Sequence, residues 1–312
     1  MNYRHFGLYF TSEHVDYCHQ HAEQEPFITA LSLLNNSSES AVSSSLAALV
    51  LGGFRYRFNG DMQSGEQAVL ALQSGHSLEV STYPTYFDAL AGAVTLAQSV
   101  ELVRDHPHWT VDTLNNWLMN YASLTDQLQP LPENAGIVEQ LWLGLLNLVS
   151  GIVLESDQRF TVGVEAFQHA IQNEIRPEGY LPRAVEISDG YTLHRDLWCV
   201  MALVGMAEAA SHVGVDLWSY ESRGISVSTA AAYITYYYYY PDQWRWDAVT
   251  EELAKPLYKE QGAFLEMVNR STHPRDLKLL LEEQRPFFTP ALGGLTTLTH
   301  GKAKKERRGL FG

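Results

Sequence analysis

The chain has few cysteines and no long uninterrupted apolar segment, and each absence excludes a class of protein. Only two cysteines occur among the 312 residues, Cys18 and Cys199, and they are far apart in sequence. Two such cysteines do not form the framework of a disulfide-stapled domain, so we expect two buried thiols. A membrane-spanning helix needs roughly 18 consecutive apolar residues. No run of that length is present, so the sequence predicts no membrane partner.

Basic residues are also scarce. Lys and Arg total 21 against 36 Asp and Glu, which gives a formal net charge of −15. An acidic protein of this kind is not expected to bind nucleic acid non-specifically, because phosphate contacts require positive charge. Charged residues make up only 18% of the chain and hydrophobic residues 46%. This composition argues against disorder and provides enough apolar side chains for a large core.

Familiar short motifs are missing as well. The chain has no glycine pattern for phosphate or dinucleotide binding and no Gly-x-Ser-x-Gly nucleophile elbow. Three N-terminal histidines, His14, His19 and His21, lack the spacing of a zinc site, and we interpret them as a solvated helix face. The N-terminus has no apolar region of signal-peptide length. The sequence as written predicts a cytoplasmic protein, or a periplasmic or secreted one if the N-terminus is truncated.

Helical periodicity dominates what is present. Apolar residues recur at the helical period in ranges that predict roughly nine or ten helices, with short Gly-, Pro- and Asn-containing loops between them. The clearest ranges are 43–56, 66–73, 86–103, 110–127, 137–153, 160–175, 189–213, 227–239 and 246–268. Within the last range we expect one break, at Pro256. The run TYYYYY at 235–240 has high β propensity, but it closes a helical range before Pro241, so we interpret it as a helix end.

Alternating β patterns are scarce, so the sequence predicts an all-α fold of antiparallel helix hairpins. A tetratricopeptide-like solenoid is disfavoured because no self-similar period of about 34 residues occurs.

The segment 173–220 carries the most specific pattern in the chain. It contains Gly179, Leu181 and Pro182 in a loop, then a helix, then the run Gly-Val-Asp-Leu-Trp-x-Tyr ending at Tyr220. This frame resembles the C-terminal half of the alginate lyases, and the resemblance is best over 134–246. It implies an incomplete (α/α) toroid formed by a single domain over residues 1–300. Residues 301–312 (GKAKKERRGLFG) would then be a basic, disordered tail.

The resemblance also implies a chemistry, the β-elimination of uronate-containing glycans. Such a reaction needs a group that neutralises the uronate carboxylate, a base for the C5 proton and an acid for the leaving oxygen. The family Asn that neutralises the carboxylate corresponds to Asn134, and the family His that follows it is Ala135 here. In an alignment without gaps from Gly179, the family Arg corresponds to Ile187 and the family catalytic Tyr to His194.

A polar stripe nevertheless remains on the predicted helix. Tyr191, His194, Arg195 and Trp198 are spaced at i, i+3, i+4 and i+7 and so share one face. We interpret Tyr191 and His194, with Asn134, as the catalytic residues. Arg195 would bind a carboxylate, Trp198 would stack under a sugar ring, and Arg183 in the preceding loop would add a second positive charge. The alternative is a packed helix face with Arg195 paired to Asp189 or Asp196.

Three functions remain open from the sequence. The favoured one is a polysaccharide lyase that acts on an anionic polysaccharide or oligosaccharide, without a metal or a cofactor. The second is an inactive toroid that binds a glycan or a protein partner, which the changes at Ala135, Ile187 and His194 favour. The third is a glycoside hydrolase on the same architecture, which would need two facing carboxylates. The candidates for these carboxylates are Glu133, Glu186 and Asp189. The oligomeric state is left open by the sequence.

Overall fold

A computed structural model describes residues 3–36 and 45–304. Fifteen α-helices occur in this part of the chain, more than the sequence predicts. They are α1 Ser12–Gln20, α2 Phe27–Asn36, α3 Ser45–Asn59, α4 Met62–Gln73, α5 Tyr86–Val103, α6 Val111–Gln127, α7 Ile137–Val153, α8 Asp157–His169, α9 Pro182–Val185, α10 Thr192–His212, α11 Val227–Tyr239, α12 Glu251–Gln261, α13 Phe264–Thr272, α14 Leu277–Gln284 and α15 Thr296–His300. Over these residues only two isolated β-bridges form, so the predicted all-α class is confirmed.

The helices alternate between an inner and an outer position. Helices α3, α5, α7 and α10 contact one another in chain order, while α4, α6 and α8 connect them on the outside. The inner helices α7 and α10 bury most of their residues, because they are rich in apolar side chains that must be covered by neighbouring helices. Among the described helices, none is both long and apolar enough to cross a membrane.

Glycine residues bring α7 and α8 into close contact. A Cβ added to Gly151 would lie 2.5 Å from the backbone nitrogen of Phe160, and one added to Gly163 would lie 2.5 Å from the Cβ of Leu148. Only glycine permits backbones to approach this closely without displacing one helix. These two glycines therefore explain how α7 and α8 pack as a close hairpin.

Several helix boundaries follow the sequence pattern. Helices α5, α7 and α11 begin and end at the predicted residues, and the tyrosine run 235–240 closes α11 as a helix end. Thr110 caps α6, since its hydroxyl accepts a hydrogen bond from the Thr113 amide at 3.1 Å. The expected break at Pro256 is wrong. That proline lies inside α12, and the chain bends at Gly262, where an added Cβ would lie 2.3 Å from the Tyr258 carbonyl oxygen.

The N-terminal histidines are not a uniformly solvated face. His14 packs against His300 and His212, with ring centroids 5.3 and 5.9 Å apart. The Oε1 atom of Glu208 lies 3.2 Å from the Nε2 atom of His212 and 3.1 Å from that of His300. The Oε2 atom of Glu208 accepts a hydrogen bond from the indole of Trp218 at 3.0 Å. This buried histidine cluster, His14, His212 and His300 around Glu208, joins α1, α10, α15 and the loop of Trp218.

Burial shifts the ionisation of the cluster. It lowers the pKa of His14 to about 3, with contributions from His300 and Arg270. Burial by itself would raise the pKa of Glu208, but His212 and His300 outweigh it and hold that pKa well below its usual range. The folded state therefore keeps Glu208 ionised and the His14 ring uncharged.

The histidine cluster predicts acid sensitivity. Below about pH 6.5 the unfolded chain protonates His14 while the folded protein does not, so the free energy of unfolding falls as pH decreases toward 3. This titration lowers the free energy of unfolding by at most about 1.4 kcal/mol per pH unit. His14→Gln removes it. Thermal melts at pH 7 and pH 5 should show a smaller loss of Tm in His14→Gln than in the wild type. The control is His169→Gln, at a ring that is 66% exposed. Equal acid losses in His14→Gln and wild type would contradict this account.

Candidate active-site cleft

A cavity of about 300 Å³ opens where the N-terminal ends of three inner helices meet. Because α5, α7 and α10 are separated by single outer helices or hairpins, they run in the same direction and their first turns lie at one end of the ring. The residues that line the cavity are Phe87, Gly136, Ile137, Val138, Glu139, Arg183, Glu186, Ile187, Tyr191, Arg195 and Trp198. Four of the six site residues expected from the sequence are among them.

The expected stripe on α10 forms one face. Tyr191 occupies the N-cap position and is 59% exposed, so its phenol is accessible from the cavity. The His194 ring lies beside it, with centroids 5.5 Å apart, and 6.2 Å from Trp198 on its other side. Trp198 stacks on Phe87 of α5 at 4.9 Å with 29° between the planes. The stripe is therefore a continuous aromatic wall, in which His194 is half-buried behind the cavity surface.

The surroundings of His194 lower the pKa of its ring. Burial lowers its pKa, and the nearby Arg195 lowers it further, while Glu260 opposes both. A lowered pKa keeps the imidazole neutral near neutral pH, and only the neutral form can accept a proton.

Arg195 is engaged with the protein itself. Its Nη1 atom donates to both carboxylate oxygens of Asp189 at 2.9 Å, as in the alternative considered from the sequence. Its Nε and Nη2 atoms donate to the carbonyls of Ala184 and Ile187. The guanidinium hydrogen bonds hold the pKa of Asp189 below its usual value. The geometry gives Arg195 the role of fixing the 184–189 segment that forms one edge of the cleft.

Arg183 is more accessible. Its side chain is 39% exposed, and its Nη1 atom lies 2.9 Å from the Gln140 side-chain oxygen and 3.3 Å from a Glu174 oxygen. Asn134 is exposed in a turn just before α7. It lies outside the cavity lining, in which the first residue of this segment is Gly136. Ile187, where the resemblance implies an Arg, lines the cavity and is 61% exposed.

The formal charges that line the cleft balance. Arg183 and Arg195 are matched by Glu139 and Glu186, and Glu139 is used to cap α7 through the Gly136 amide at 2.9 Å. Of the three carboxylates proposed for a hydrolase, Glu186 lines the cavity, Asp189 is bound by Arg195, and Glu133 is exposed in the turn beside Asn134.

Sequence reasoning missed a cation next to this edge. The Arg245 guanidinium lies 5.0 Å from the Trp246 ring centroid and 5.9 Å from that of Tyr180. Trp246 is attached to the cleft edge because the Ser188 hydroxyl donates to its carbonyl at 2.5 Å. The Trp-Arg-Trp run at 244–246 is the signal that would have pointed to a cation beside the Trp246 ring, whereas Tyr180 is brought there by the fold.

Asp247 fixes the start of α10. Its carboxylate accepts hydrogen bonds from the Thr192 amide and hydroxyl and from the Ser188 hydroxyl. Burial opposes its ionisation, but these donors lower its pKa to about 2. A carboxylate at the N-terminus of a helix also matches the helix dipole. The orientation of Tyr191 and His194 therefore depends on a residue more than fifty positions later in the chain.

The frame residues of segment 173–220 have structural roles. Gly179 has φ +111°, and a Cβ there would lie 2.5 Å from the Cβ of Tyr233. Trp218 binds Glu208 of the histidine cluster. The Tyr220 hydroxyl accepts a hydrogen bond from the Gln172 amide at 2.5 Å. The pattern that is recognisable in the sequence therefore marks packing around α10 rather than the reacting groups.

Comparisons with known proteins agree with this architecture. A family model described as alginate lyase matches residues 76–244. Alginate lyase A1-III from Sphingomonas species A1 has 17% sequence identity and a TM-score of 0.69, covering 89% of this chain and 78% of that one. A variant of A1-III complexed with tetrasaccharide has 16% identity and a TM-score of 0.72, covering 90% and 79%. An alginate lyase from Bacteroides ovatus has 13% identity and a TM-score of 0.72, covering 94% and 98%.

These likenesses confirm the (α/α) toroid. At such low identities they establish the fold and not the substrate. No curated protein matches the chain in sequence.

A buried acid lies directly behind the cleft. Asp196 is completely inaccessible, and one of its oxygens accepts the Leu181 amide hydrogen bond at 3.0 Å. Its other oxygen has no hydrogen-bond partner among the described residues. Burial raises the pKa of Asp196 to about 7, although the Leu181 amide opposes this. The carboxyl group is therefore held largely protonated at slightly acidic pH.

The protonation of Asp196 predicts a stability that falls as pH rises. The unfolded chain releases this proton near pH 3.9, so the free energy of unfolding decreases between about pH 4 and pH 7. Asp196→Asn keeps an acceptor for Leu181 and removes the buried charge. At pH 8 it should raise the free energy of unfolding by on the order of 2–4 kcal/mol, and with it the Tm. At pH 4 it should change the Tm little.

The control for Asp196→Asn is Asp126→Asn, at a carboxylate that is 66% exposed. If Asp196→Asn lowers Tm equally at both pH values, then Asp196 is ionised in the folded protein.

Proposed function

Because this chain belongs to the alginate lyase family, with more than half of its length matched by the family model, we propose that it is a polysaccharide lyase that cleaves a uronate-containing glycan by β-elimination. The observation that carries the proposal is the pairing of an exposed Tyr191 phenol with a His194 ring of lowered pKa, on a wall that borders a cavity containing Arg183. Known structures with this fold include tetrasaccharide complexes, which supports an oligosaccharide ligand.

The reaction assigns one task to each group. The neutral His194 ring takes the proton from C5 of the uronate, and the electron pair left at C5 forms the C4–C5 double bond. The C4–O bond breaks, and the Tyr191 phenol gives its proton to the departing glycosidic oxygen. Exchange of protons with solvent then restores both side chains. The products are an unsaturated uronate and a new chain end, with no oxidant or metal consumed.

The remaining groups bind and position the glycan. We assign Trp198 to stack under the sugar ring, since its indole is held flat against Phe87. Arg183 and Asn134 would neutralise the carboxylate as negative charge moves onto it in the transition state. We assign Arg195 an indirect role in glycan binding, because it fixes the 184–189 segment that forms one edge of the cleft. The N-terminal ends of α7 and α10 add partial positive charge to a cleft whose formal charges balance.

A binding-only function is the second candidate, and a specific observation favours it. Both cleft arginines, Arg183 and Arg195, already have carboxylate partners within the protein. Ile187 stands where the family resemblance implies a third arginine. A hydrolase is a third candidate because Glu139 and Glu186 line the same cavity. Their separation would decide between inverting and retaining hydrolysis.

One experiment separates the three functions. Purified protein is incubated with a panel of polyuronates and their oligomers, together with uncharged glycans of similar length. Ultraviolet absorbance of the unsaturated product indicates elimination. New reducing ends without that absorbance indicate hydrolysis. Binding measured by calorimetry without either product indicates the binding-only function, and absence of binding to every glycan would contradict the proposal altogether.

The proposed roles predict separate kinetic effects. His194→Ala and Tyr191→Phe should each lower kcat by about 10²–10⁴-fold with little change in KM, because proton transfer contributes in the transition state. The acid limb of the wild-type pH profile should lie below the ordinary histidine pKa of about 6.5, since burial lowers the pKa of His194. The control is His169→Ala, outside the cleft. An unchanged kcat in His194→Ala would assign that ring to packing alone.

A further inference from the structure

A second cavity, larger than the cleft, lies on another face of the protein. Its volume is about 580 Å³, and it opens between α11 and the segment that links α13 to α14. Its floor is made by small residues of α11, Ser228, Ala231 and Ala232, and one wall by Tyr236 and Tyr240. Volumes of about 300–1,000 Å³ are typical of ligand sites.

The second cavity is separate from the cleft. Helix α11 directs Tyr233 and Tyr237 toward Trp244, with ring centroids 6.1 and 4.8 Å away, beside the cleft edge. Tyr236 and Tyr240 line the second cavity. No residue lines both cavities. A ligand bound in one therefore leaves the other accessible.

The wall of the second cavity is aromatic and ordered. Tyr236 and Tyr240 are 43% and 48% exposed, and their ring centroids are 4.8 Å apart. The Tyr236 hydroxyl donates to the Gln243 side chain. On the far side, the Tyr239 hydroxyl donates to the Asp276 carbonyl at 2.6 Å and accepts the Leu280 amide at 2.9 Å, which fixes the start of α14. The Tyr236 ring is thus held by Gln243 and by contact with the Tyr240 ring.

Among the described residues, several polar side chains at the rim have no intramolecular hydrogen-bond or ion-pair partner. Arg275 and Asp276 are exposed and line the cavity. Across residues 3–36 and 45–304, neither of these side chains, nor the Tyr240 hydroxyl, takes part in a side-chain hydrogen bond or an ion pair. A free guanidinium suits a carboxylate, and a free carboxylate suits sugar hydroxyls. Aromatic side chains with an apolar face and a polar edge suit the two faces of a pyranose ring.

We propose that this cavity is a second glycan-binding site, which holds a short stretch of the uronate glycan away from the cleft. One sugar ring stacks on Tyr240, its carboxylate binds Arg275, and its hydroxyls donate to Asp276. The identity of the glycan rests on the proposed function, but the binding does not require turnover. Holding a polymer at a second point raises its effective concentration at the cleft, so the site favours long substrates over short ones.

The test blocks the second cavity without removing its polar groups. Ala232 is an exposed helix residue on the cavity floor, so Ala232→Trp fills the space at little risk to folding. A second variant, Arg275→Ala, removes only the carboxylate partner. The matched control is Lys278→Ala, an exposed residue of the same segment that does not line the cavity. Calorimetry with a uronate tetrasaccharide then measures the number of binding sites.

We expect two binding sites in the wild type and in Lys278→Ala, and one in Ala232→Trp. Arg275→Ala should weaken the same site at least tenfold, and an uncharged tetrasaccharide should not depend on Arg275. Trp198→Ala should remove the other site. If no polyuronate is eliminated but Ala232→Trp still loses one site, the second site stands and the proposed lyase function fails. The same number of sites in wild type and Ala232→Trp would overturn the second site, whether or not the protein is a lyase.

Discussion

The burial of two largely apolar helices is the constraint on which the rest of the structure depends. Helices α7 and α10 bury most of their residues, and α10 presents only a short stripe to the cleft, so outer helices must cover the rest. Glycines in α7 and α8 let one of these covering helices approach closely. After each inner helix, an outer helix leads the chain back to the same end of the ring, so the inner helices run in the same direction. Their N-terminal ends therefore meet at one side of the ring, where the cleft opens.

The cleft edge is held by ionic groups that the protein uses internally. Arg195 binds Asp189 and two carbonyls, and Asp247 binds the first turn of α10. These contacts fix the start of α10 and the segment before it, which in the proposed function would orient Tyr191 and His194 for proton transfer. The same contacts use up positive charge on a protein with a net charge of −15. In the proposed function, binding of an anionic glycan would therefore depend on Arg183, on helix dipoles and on Arg245 beside the edge.

Two buried acids on α10 show how partners decide ionisation. Asp196 and Glu208 are both inaccessible or nearly so, and burial alone would raise the pKa of each. Asp196 has one amide donor, and its pKa is raised to about 7, so it is largely protonated at slightly acidic pH. Glu208 has two histidines and an indole, and it stays ionised. The titration of Asp196 therefore lowers the free energy of unfolding as pH rises, and the titrations of Glu208 and His14 lower it as pH falls. Between about pH 4 and pH 6.5 the effects of Asp196 and His14 oppose each other, so stability changes little with pH there.

The sequence by itself determined the fold class, most of the inner helices and the shared face of Tyr191, His194, Arg195 and Trp198. These depend on periodicity and on spacing within one helix, which are local properties. It did not predict the short helices α2, α9, α14 and α15, whose formation depends on packing against distant segments. Only the tertiary structure decided that Arg195 is bound to Asp189, that His14 belongs to a buried cluster, and that Asn134 lies outside the cavity lining. It also brought Arg245 and Asp247 beside the cleft. Charge pairing and burial join residues that are far apart in the chain, and no local pattern records which of them will meet.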